Sequence, residues 1–134
     1  SAVTSQVARL PSVRELLVEQ QRQIGRKLGS FVTEGRDQGS VVFPDADTKF
    51  VLDANLQRRA ERRYQEVLAD GESVSIAEVT DNLTARDRVD AKQWEPLLTS
   101  GAAVVIDTTH LTITEVVGRM EECLAASSRR RNKA

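Results

Sequence analysis

The sequence predicts an α/β fold, in which a short parallel sheet of about three strands is flanked by helices. Apolar runs at residues 31–34, 49–53 and 103–107 are short and lack polar alternation, as is typical of strands buried on both faces. Segments of helical periodicity with capping residues separate these runs. A single domain is expected for 134 residues, a length that can bury a core.

Periodicity and local capping residues predict the first two helices. Asn55 is placed to cap a helix that runs to Asp70 and ends at Gly71. An earlier helix is predicted over residues 12–28, starting at Pro11 or Ser12. Its predicted core-facing positions, which recur at helical spacing, are Val13, Leu16, Leu17, Gln20, Ile24 and Leu28.

Two capping boxes predict where the remaining helices begin. Ser75 is followed three residues later by Glu78, and Thr112 by Glu115. In this motif, each side chain bonds the backbone N–H of the other residue.

Composition limits the classes of function. The formal net charge is −1, which provides no global field to attract nucleic acid or a membrane surface. The basic tail within residues 127–134 lacks interleaved aromatic residues and is interpreted as a frayed terminus rather than a nucleic-acid arm. No run is long and apolar enough to span a bilayer, and no signal peptide is recognised, so a cytoplasmic location is expected. A single cysteine and a single histidine give no zinc cluster.

The most informative segment spans residues 31–46 and reads Phe-Val-Thr-Glu-Gly-Arg-Asp-Gln-Gly-Ser-Val-Val-Phe-Pro-Asp-Ala. A strand that ends in this way would place Arg36 and Asp37 at the carboxyl edge of a parallel sheet, where ligands bind. The segment closely resembles the Asp-Gly-Arg-Asp-x-Gly-Thr-Val-Val-Phe-Pro-Asp-Ala signature of bacterial cytidylate (CMP) kinases. The similarity runs from Ser1 to about Ala126 and covers the C-terminal portion of that family.

The resemblance implies a partial three-layer P-loop-kinase-like fold that lacks the first strand and the phosphate loop. The pattern G-x-x-x-x-G-K-[ST] does not occur; Gly25-Arg26-Lys27 and Gly29-Ser30 come nearest. The chain is therefore expected to be a single-domain fragment that is inactive by itself. Its predicted regions are the end of the monophosphate-binding part with a core helix (1–30), core strands and helix (31–72), a lid (73–97), the last strand and helix (98–126), and the basic tail (127–134).

The resemblance also assigns the substrate-binding residues. It implies that Arg36 contacts the acceptor phosphate and acts in catalysis, while Asp37 accepts from the exocyclic amine of cytosine. Arg14 would reach the cytosine carbonyl, and Ser5 the ribose. A guanidinium fork matches phosphate oxygens, and a carboxylate matches the N4 donor of cytosine. The alternative is that Arg36 and Asp37 only pair with each other.

Glu34 stands where the family usually has aspartate, and two interpretations remain open. The carboxylate would hold the Mg²⁺ that accompanies ATP, through water, or it would face solvent as a helix-cap acceptor. ATP with Mg²⁺ and CMP or dCMP are the cofactor and substrates that the resemblance implies.

The lid departs from the family pattern, which is close to Arg-Asp-x-x-Asp-x-x-Arg followed by Pro-Leu. Arg86 and Asp90 match, four residues apart, so on a helix they would share a face and form a pair. Arg86 would act in catalysis and both would bind substrate. Gln93, or Lys92 if one residue is deleted, replaces the final arginine, and neither is equivalent to its bidentate fork.

Some functional questions remain open from sequence. Four arginines of the second helix would contact phosphates or form a solvated face: Arg58, Arg59, Arg62 and Arg63. The protein is either part of a cytidylate kinase or a non-catalytic nucleotide-binding or assembly module. An unpaired sheet edge predicts a homodimer, and the alternative is a monomer whose residues 1–10 cover that edge.

Overall fold

The computed structural model describes residues 10–131, except for the side chains of residues 92–94 and 128–131. Residues 1–46 and 47–134 form two compact units. In the part that the structure describes, no helix is long and apolar enough to cross a membrane.

The described part of the first unit contains a helix and the segment that folds against it. Helix α1, Pro11–Leu28, begins with proline at its first turn, where the missing N–H costs nothing. It ends at Gly29, whose φ of 74° suits glycine and whose N–H donates to the Gly25 carbonyl at 3.1 Å. A π-helical turn, Gln38–Val42, packs against α1 and carries Val42, which is 1% exposed. The predicted helix is confirmed.

The second unit contains the sheet and three helices. Its elements are β1 (Phe50–Asp53), α2 (Leu56–Ala69), α3 (Ile76–Thr99), β2 (Val104–Asp107) and α4 (Ile113–Arg131). The strands are parallel, with Phe50 opposite Val104 and Asp53 opposite Asp107. Helix α2 packs against α3, and the core is formed by Ala54, Ala60, Val67, Val79 and Ile106.

Each predicted cap is confirmed. The Asn55 side chain accepts from the Arg58 N–H at 2.8 Å. The Ser75–Glu78 capping box has both reciprocal bonds, at 3.2 and 2.8 Å. The Thr112–Glu115 box has them at 3.3 and 2.8 Å. The α/β class with a short parallel sheet flanked by helices is thus confirmed, from signals that lie within a few residues of each element.

The strand predicted at residues 31–34 is wrong, because this segment is irregular and the sheet of the described residues consists of β1 and β2. Phe31 stacks edge-to-face on Phe43, with centroids 5.0 Å apart and planes at 64°. The Thr33 hydroxyl donates to the Gln38 side chain at 3.1 Å, and Val32 is 87% exposed. Local contacts to the π-helical turn and an aromatic pair therefore fix this segment in place of a strand ladder.

The apolar positions predicted for α1 do not form a buried face in the described structure. Leu16, Leu17, Ile24 and Leu28 are between 49% and 61% exposed. The buried position is Gly25, where the helix backbone meets Phe31 and Phe43.

Close packing at Gly25 predicts that Gly25→Ala destabilises the protein. A Cβ there would lie 2.8 Å from Cζ of Phe31 and 3.0 Å from Cε1 of Phe43, so the stacked rings must shift. Overpacking costs about 1–3 kcal/mol, which exceeds the helix-propensity gain of about 1 kcal/mol. Gly118→Ala in α4 is the matched control, since nothing lies within 4 Å of its Cβ. Urea unfolding is expected to show a lower midpoint for Gly25→Ala and a higher one for Gly118→Ala. Equal stabilisation by both would contradict the packing argument.

Candidate functional site

The loop of residues 34–37 connects the irregular segment to the π-helical turn. Gly35 adopts φ 151°, and a Cβ there would lie 2.9 Å from Cγ of Gln38. Glycine is therefore required at this corner, which turns the chain between Glu34 and Arg36. Asp37 then begins the turn, and its carbonyl accepts from the N–H groups of Val41 and Val42 at 2.9 and 3.1 Å.

The structure brings together two of the predicted substrate-binding residues, Arg14 and Asp37. Nη2 of Arg14 donates to Oδ2 of Asp37 at 2.5 Å, although the residues are 23 apart in sequence. Their side chains are 45% and 24% exposed, so the pair faces a surface that solvent or a ligand can reach. A cation and an anion held side by side offer a donor and an acceptor to one planar ligand.

Further side chains of α1 hold the segment that follows Asp37. Arg22 donates from Nε to the Val42 carbonyl and from Nη2 to the Val41 carbonyl, both at 2.8 Å. The Gln38 amide donates to the Gln21 side chain at 2.9 Å. The sequence did not predict these contacts, because Gln21 and Arg22 lie outside the predicted core-facing positions of α1 and belong to no recognisable motif.

The other predicted residues near this loop are placed as follows. Arg36 and Glu34 both have exposed side chains on the 34–37 loop. Ser5 lies outside the described residues. Within residues 10–131, no group of three or more His, Cys, Asp or Glu side chains could hold a metal ion. Both interpretations of Glu34, a water-mediated contact to Mg²⁺ and a solvent-facing helix-cap acceptor, therefore stay predictions.

Helix α3 carries the predicted lid residues in the second unit. Arg86 is exposed and Asp90 is half-buried, four residues later on the same helix. Lys92 and Gln93 also lie on α3, and their side chains are outside the described part. Pro96 lies inside the helix, near its carboxyl end.

A bidentate ion pair between Arg59 and Asp87 links α2 to α3. Nη1 and Nη2 of Arg59 donate to the two carboxylate oxygens of Asp87 at 2.8 and 2.6 Å. Nε of Arg59 donates to the Ala54 carbonyl at 3.0 Å, at the end of β1. The hydrogen bonds to Arg59 lower the pKa of Asp87, and those to Asp87 raise the pKa of Arg59. One guanidinium thus connects the sheet edge to the helix that carries Arg86.

This pair predicts a pH-dependent loss of stability in Asp87→Asn. The folded-state pKa of Asp87 lies below its ordinary value of 3.8, so its contribution is present above that value and is lost as pH falls through the folded-state pKa. The side chains are 32% and 39% exposed, so screening limits the contribution. We expect a loss of about 1 kcal/mol at pH 7, the upper end for exposed pairs, because the geometry is bidentate.

The measurement is urea unfolding of the wild type and Asp87→Asn across the acid range. The two stabilities should converge below the folded-state pKa of Asp87. Glu61→Gln is the control, because Glu61 accepts from Arg58 in a monodentate surface pair at 3.2 Å. A loss from Glu61→Gln as large as that from Asp87→Asn would contradict a special role for the bidentate pair.

A second arginine of α2 orders the loop after β2. Arg62 donates to the hydroxyl and carbonyl of Thr108 at 3.1 and 2.6 Å, and to the Leu111 carbonyl at 3.4 Å. The Thr108 hydroxyl in turn donates to the Asp53 carbonyl at 2.9 Å. Hydrogen bonds from Thr109 lower the pKa of Asp107, whose Oδ1 accepts from the Thr109 N–H at 2.8 Å. The carboxyl ends of the two strands are thereby joined into one hydrogen-bonded edge.

The four arginines of α2 therefore divide into two groups. Arg59 and Arg62 are half-buried and bond across to other elements. Arg58 and Arg63 form exposed pairs three residues along the same helix, with Glu61 and Glu66. Sequence reasoning treated all four alike, because positions 58, 59, 62 and 63 recur at the spacing of one helix face.

Comparison with known proteins gives a consistent result. The family model described as cytidylate kinase matches residues 1–126. The chain is 46% identical over 120 residues to the cytidylate kinase of Geobacter sp. (strain M21), a match that covers 89% of this chain and 51% of that protein. It is 46% identical over 114 residues to the cytidylate kinase of Clostridioides difficile (strain 630), covering 84% and 52% respectively. With the cytidylate kinase of Caldanaerobacter subterraneus subsp. tengcongensis, the identity is 42% over 130 residues, covering 96% and 58%.

The chain spans about half the length of the curated relatives it matches. The match includes the 34–37 loop, the helix that supplies Arg14 and the helix that carries Arg86. These 134 residues belong to the cytidylate kinase family.

Proposed function

We propose that this chain forms the C-terminal part of a cytidylate kinase, which transfers the γ-phosphate of ATP to CMP or dCMP. In this role it supplies the residues that read the nucleoside monophosphate, together with the lid. The observation that carries the proposal is the Arg14–Asp37 pair, held at 2.5 Å within the matched segment. The three relatives compared above are described as cytidylate kinases, which favours this function over a non-catalytic module.

The pair suits cytosine for chemical reasons. Cytosine offers an amine donor at N4 and a carbonyl acceptor at O2, so it can accept from Arg14 and donate to Asp37. When CMP binds, the contact between Arg14 and Asp37 would be replaced by two contacts, one from Arg14 to the cytosine carbonyl and one from the cytosine amine to Asp37. Few hydrogen bonds would therefore be lost. Adenine offers an amine but has no carbonyl for the guanidinium. We propose that Arg36 contacts the acceptor phosphate and that Ser5 contacts the ribose.

We assign Arg86 and Asp90 to the lid side of the site, with Lys92 or Gln93 in place of a further arginine. Phosphoryl transfer depends mainly on positioning and on neutralising charge on the transferred group. Arg86 would supply positive charge to the phosphates, and the Arg59–Asp87 pair would hold its helix. Mg²⁺ supplies further neutralisation when bound with ATP, and Glu34 is the proposed water-mediated contact.

The test uses a chimera in which this chain replaces the matching 51% of the Geobacter sp. (strain M21) cytidylate kinase. Calorimetric titration is expected to show that the chimera binds CMP more tightly than AMP. Asp37→Ala should remove most of that preference, because it removes the acceptor for N4. A coupled assay should show phosphorylation of CMP by ATP. Equal affinities for CMP and AMP, or CMP binding unaltered by Asp37→Ala, would count against the base-reading role.

We further propose that the isolated chain forms a homodimer through the sheet edge. Within the described part of the second unit, β1 and β2 pair only with each other. Unpaired strand edges template pairing with another chain, and a two-fold dimer is the commonest closed arrangement. The alternative is a monomer whose residues 1–10 cover this edge, and these residues lie almost entirely outside the described part of the chain. Light scattering across a tenfold dilution should show a mass above the 14.8 kDa of one chain at high concentration. A constant mass of one chain would contradict the dimer.

A further inference from the structure

Helix α1 presents a polar row to the segment that carries Asp37. Arg14, Gln21 and Arg22 each bond to this segment, at Asp37, Gln38 and the Val41 and Val42 carbonyls respectively. Residues 21 and 22 lie seven and eight positions after residue 14, so the three lie on one side of the helix. The row thus places a candidate ligand-reading side chain and two support side chains on one rigid element.

Arg22 bonds to the backbone at the carboxyl end of the π-helical turn. The π-helical turn is five residues long, so no following helical turn supplies N–H groups to the carbonyls at its carboxyl end. Arg22 donates to two of these carbonyls with two nitrogens of one planar group, at 2.8 Å each. The bond to the Val42 carbonyl is part-buried, where a carbonyl without a donor would be costly, and a planar guanidinium loses little entropy in bonding to both carbonyls.

The same turn determines where the Asp37 carboxylate lies. The Asp37 carbonyl accepts from the N–H groups of Val41 and Val42, whose own carbonyls are the acceptors for Arg22. A movement of residues 41 and 42 therefore moves Asp37 relative to Arg14.

We infer that Arg22 is a positioning residue for base recognition: by holding the π-helical turn, it fixes the distance between the two groups that read cytosine. The inference rests on the proposed function and deepens it. Uracil presents a carbonyl where cytosine presents its N4 amine, so a correctly placed carboxylate favours CMP over UMP. Arg22 would therefore contribute to selectivity without contacting the nucleotide.

The experiment measures kcat and KM of the chimera for CMP and UMP with Arg22→Met and Arg22→Lys. Arg22→Met should lower kcat/KM for CMP by about 10²-fold, the effect of a misplacement of about 1 Å. The loss should appear mainly in KM, and the CMP-to-UMP ratio of kcat/KM should fall with it. Arg22→Lys should recover only part of the loss, because an ammonium lacks the planar fork.

Arg26→Met is the matched control, since it removes the same charge one turn later on α1. Arg26 is paired with Glu19 at 2.6 Å, with side chains 62% and 50% exposed, and among the described residues it makes no hydrogen bond to the turn. Its CMP-to-UMP ratio should stay within twofold of the wild type.

A purely structural role for Arg22 predicts a different pattern. Arg22→Met would then lower the midpoint of unfolding and the active fraction, and leave KM and the CMP-to-UMP ratio unchanged. That pattern would overturn the inference, and an unchanged ratio in Arg22→Lys would do so even if Arg22→Met fails to fold. Failure of the unsubstituted chimera to bind or phosphorylate CMP would instead remove the proposed function itself, so the two failures are distinguishable.

Discussion

Arg36→Ala in the Geobacter chimera is expected to lower kcat/KM for CMP by roughly 10³–10⁵, the range for removing an arginine that stabilises a phosphoryl-transfer transition state. Arg36 follows Gly35 at the corner of the 34–37 loop, with an exposed side chain, and immediately precedes Asp37. Because Arg36 is proposed to contact the acceptor phosphate, which is bound before transfer as well as during it, the loss should appear in both KM and kcat.

Two variants make the result interpretable. Arg36→Lys keeps the charge and should recover only part of the rate, since it cannot contact two phosphate oxygens through a planar fork. Arg26→Ala removes an exposed arginine of α1 that pairs with Glu19, and its kinetics should be close to those of the unsubstituted chimera. Near-normal kinetics for Arg36→Ala would exclude Arg36 from the site.

The strands predicted at residues 49–53 and 103–107 are confirmed, and so are the predicted helix ends, which are specified by neighbouring residues. The Asn55 cap and the two capping boxes each satisfy helix-end N–H groups within three residues, so their signal is local. A strand, in contrast, requires a partner strand that its own residues do not specify. Residues 31–34 have strand composition, yet Phe31 packs on Phe43 and Thr33 bonds to Gln38 instead.

The residues of the candidate site were predictable only in part. The signature around Arg36 and Asp37 led to the loop, and the resemblance supplied Arg14 as a third member. The contacts that hold the site are long-range and had no sequence signal: Arg22 bonds to Val42, and Arg59 to Asp87, 28 residues later. Periodicity also assigned α1 an apolar face, whereas the contacts that fix the loop come from its polar row. The sequence alone cannot distinguish an arginine that bonds to backbone carbonyls from an arginine that binds a phosphate.

The 134 residues on their own are expected to show no measurable phosphorylation of CMP by ATP. Transfer requires the γ-phosphate to be held in line with the acceptor, a task that phosphate loops perform with free backbone N–H groups. The nearest sequence candidates cannot do this. Gly25, Arg26 and Lys27 lie inside α1, where each N–H is directed to the carbonyl of the preceding turn. The Gly29 N–H also donates within the helix end, to the Gly25 carbonyl at 3.1 Å.

A coupled assay on the isolated chain, with a heat-denatured sample as the blank, measures this directly. The Geobacter chimera serves as the positive control, because it contains the same 134 residues joined to the half of the relative that they do not match. Calorimetric titration with CMP shows in parallel whether the isolated chain keeps the Arg14–Asp37 site in a form that binds the nucleotide. Binding without turnover would mean that reading the monophosphate and holding ATP are separable tasks of the fold. Turnover above the blank would instead show that side chains of this chain, such as Arg36 and Arg86, position the ATP phosphates without a phosphate loop.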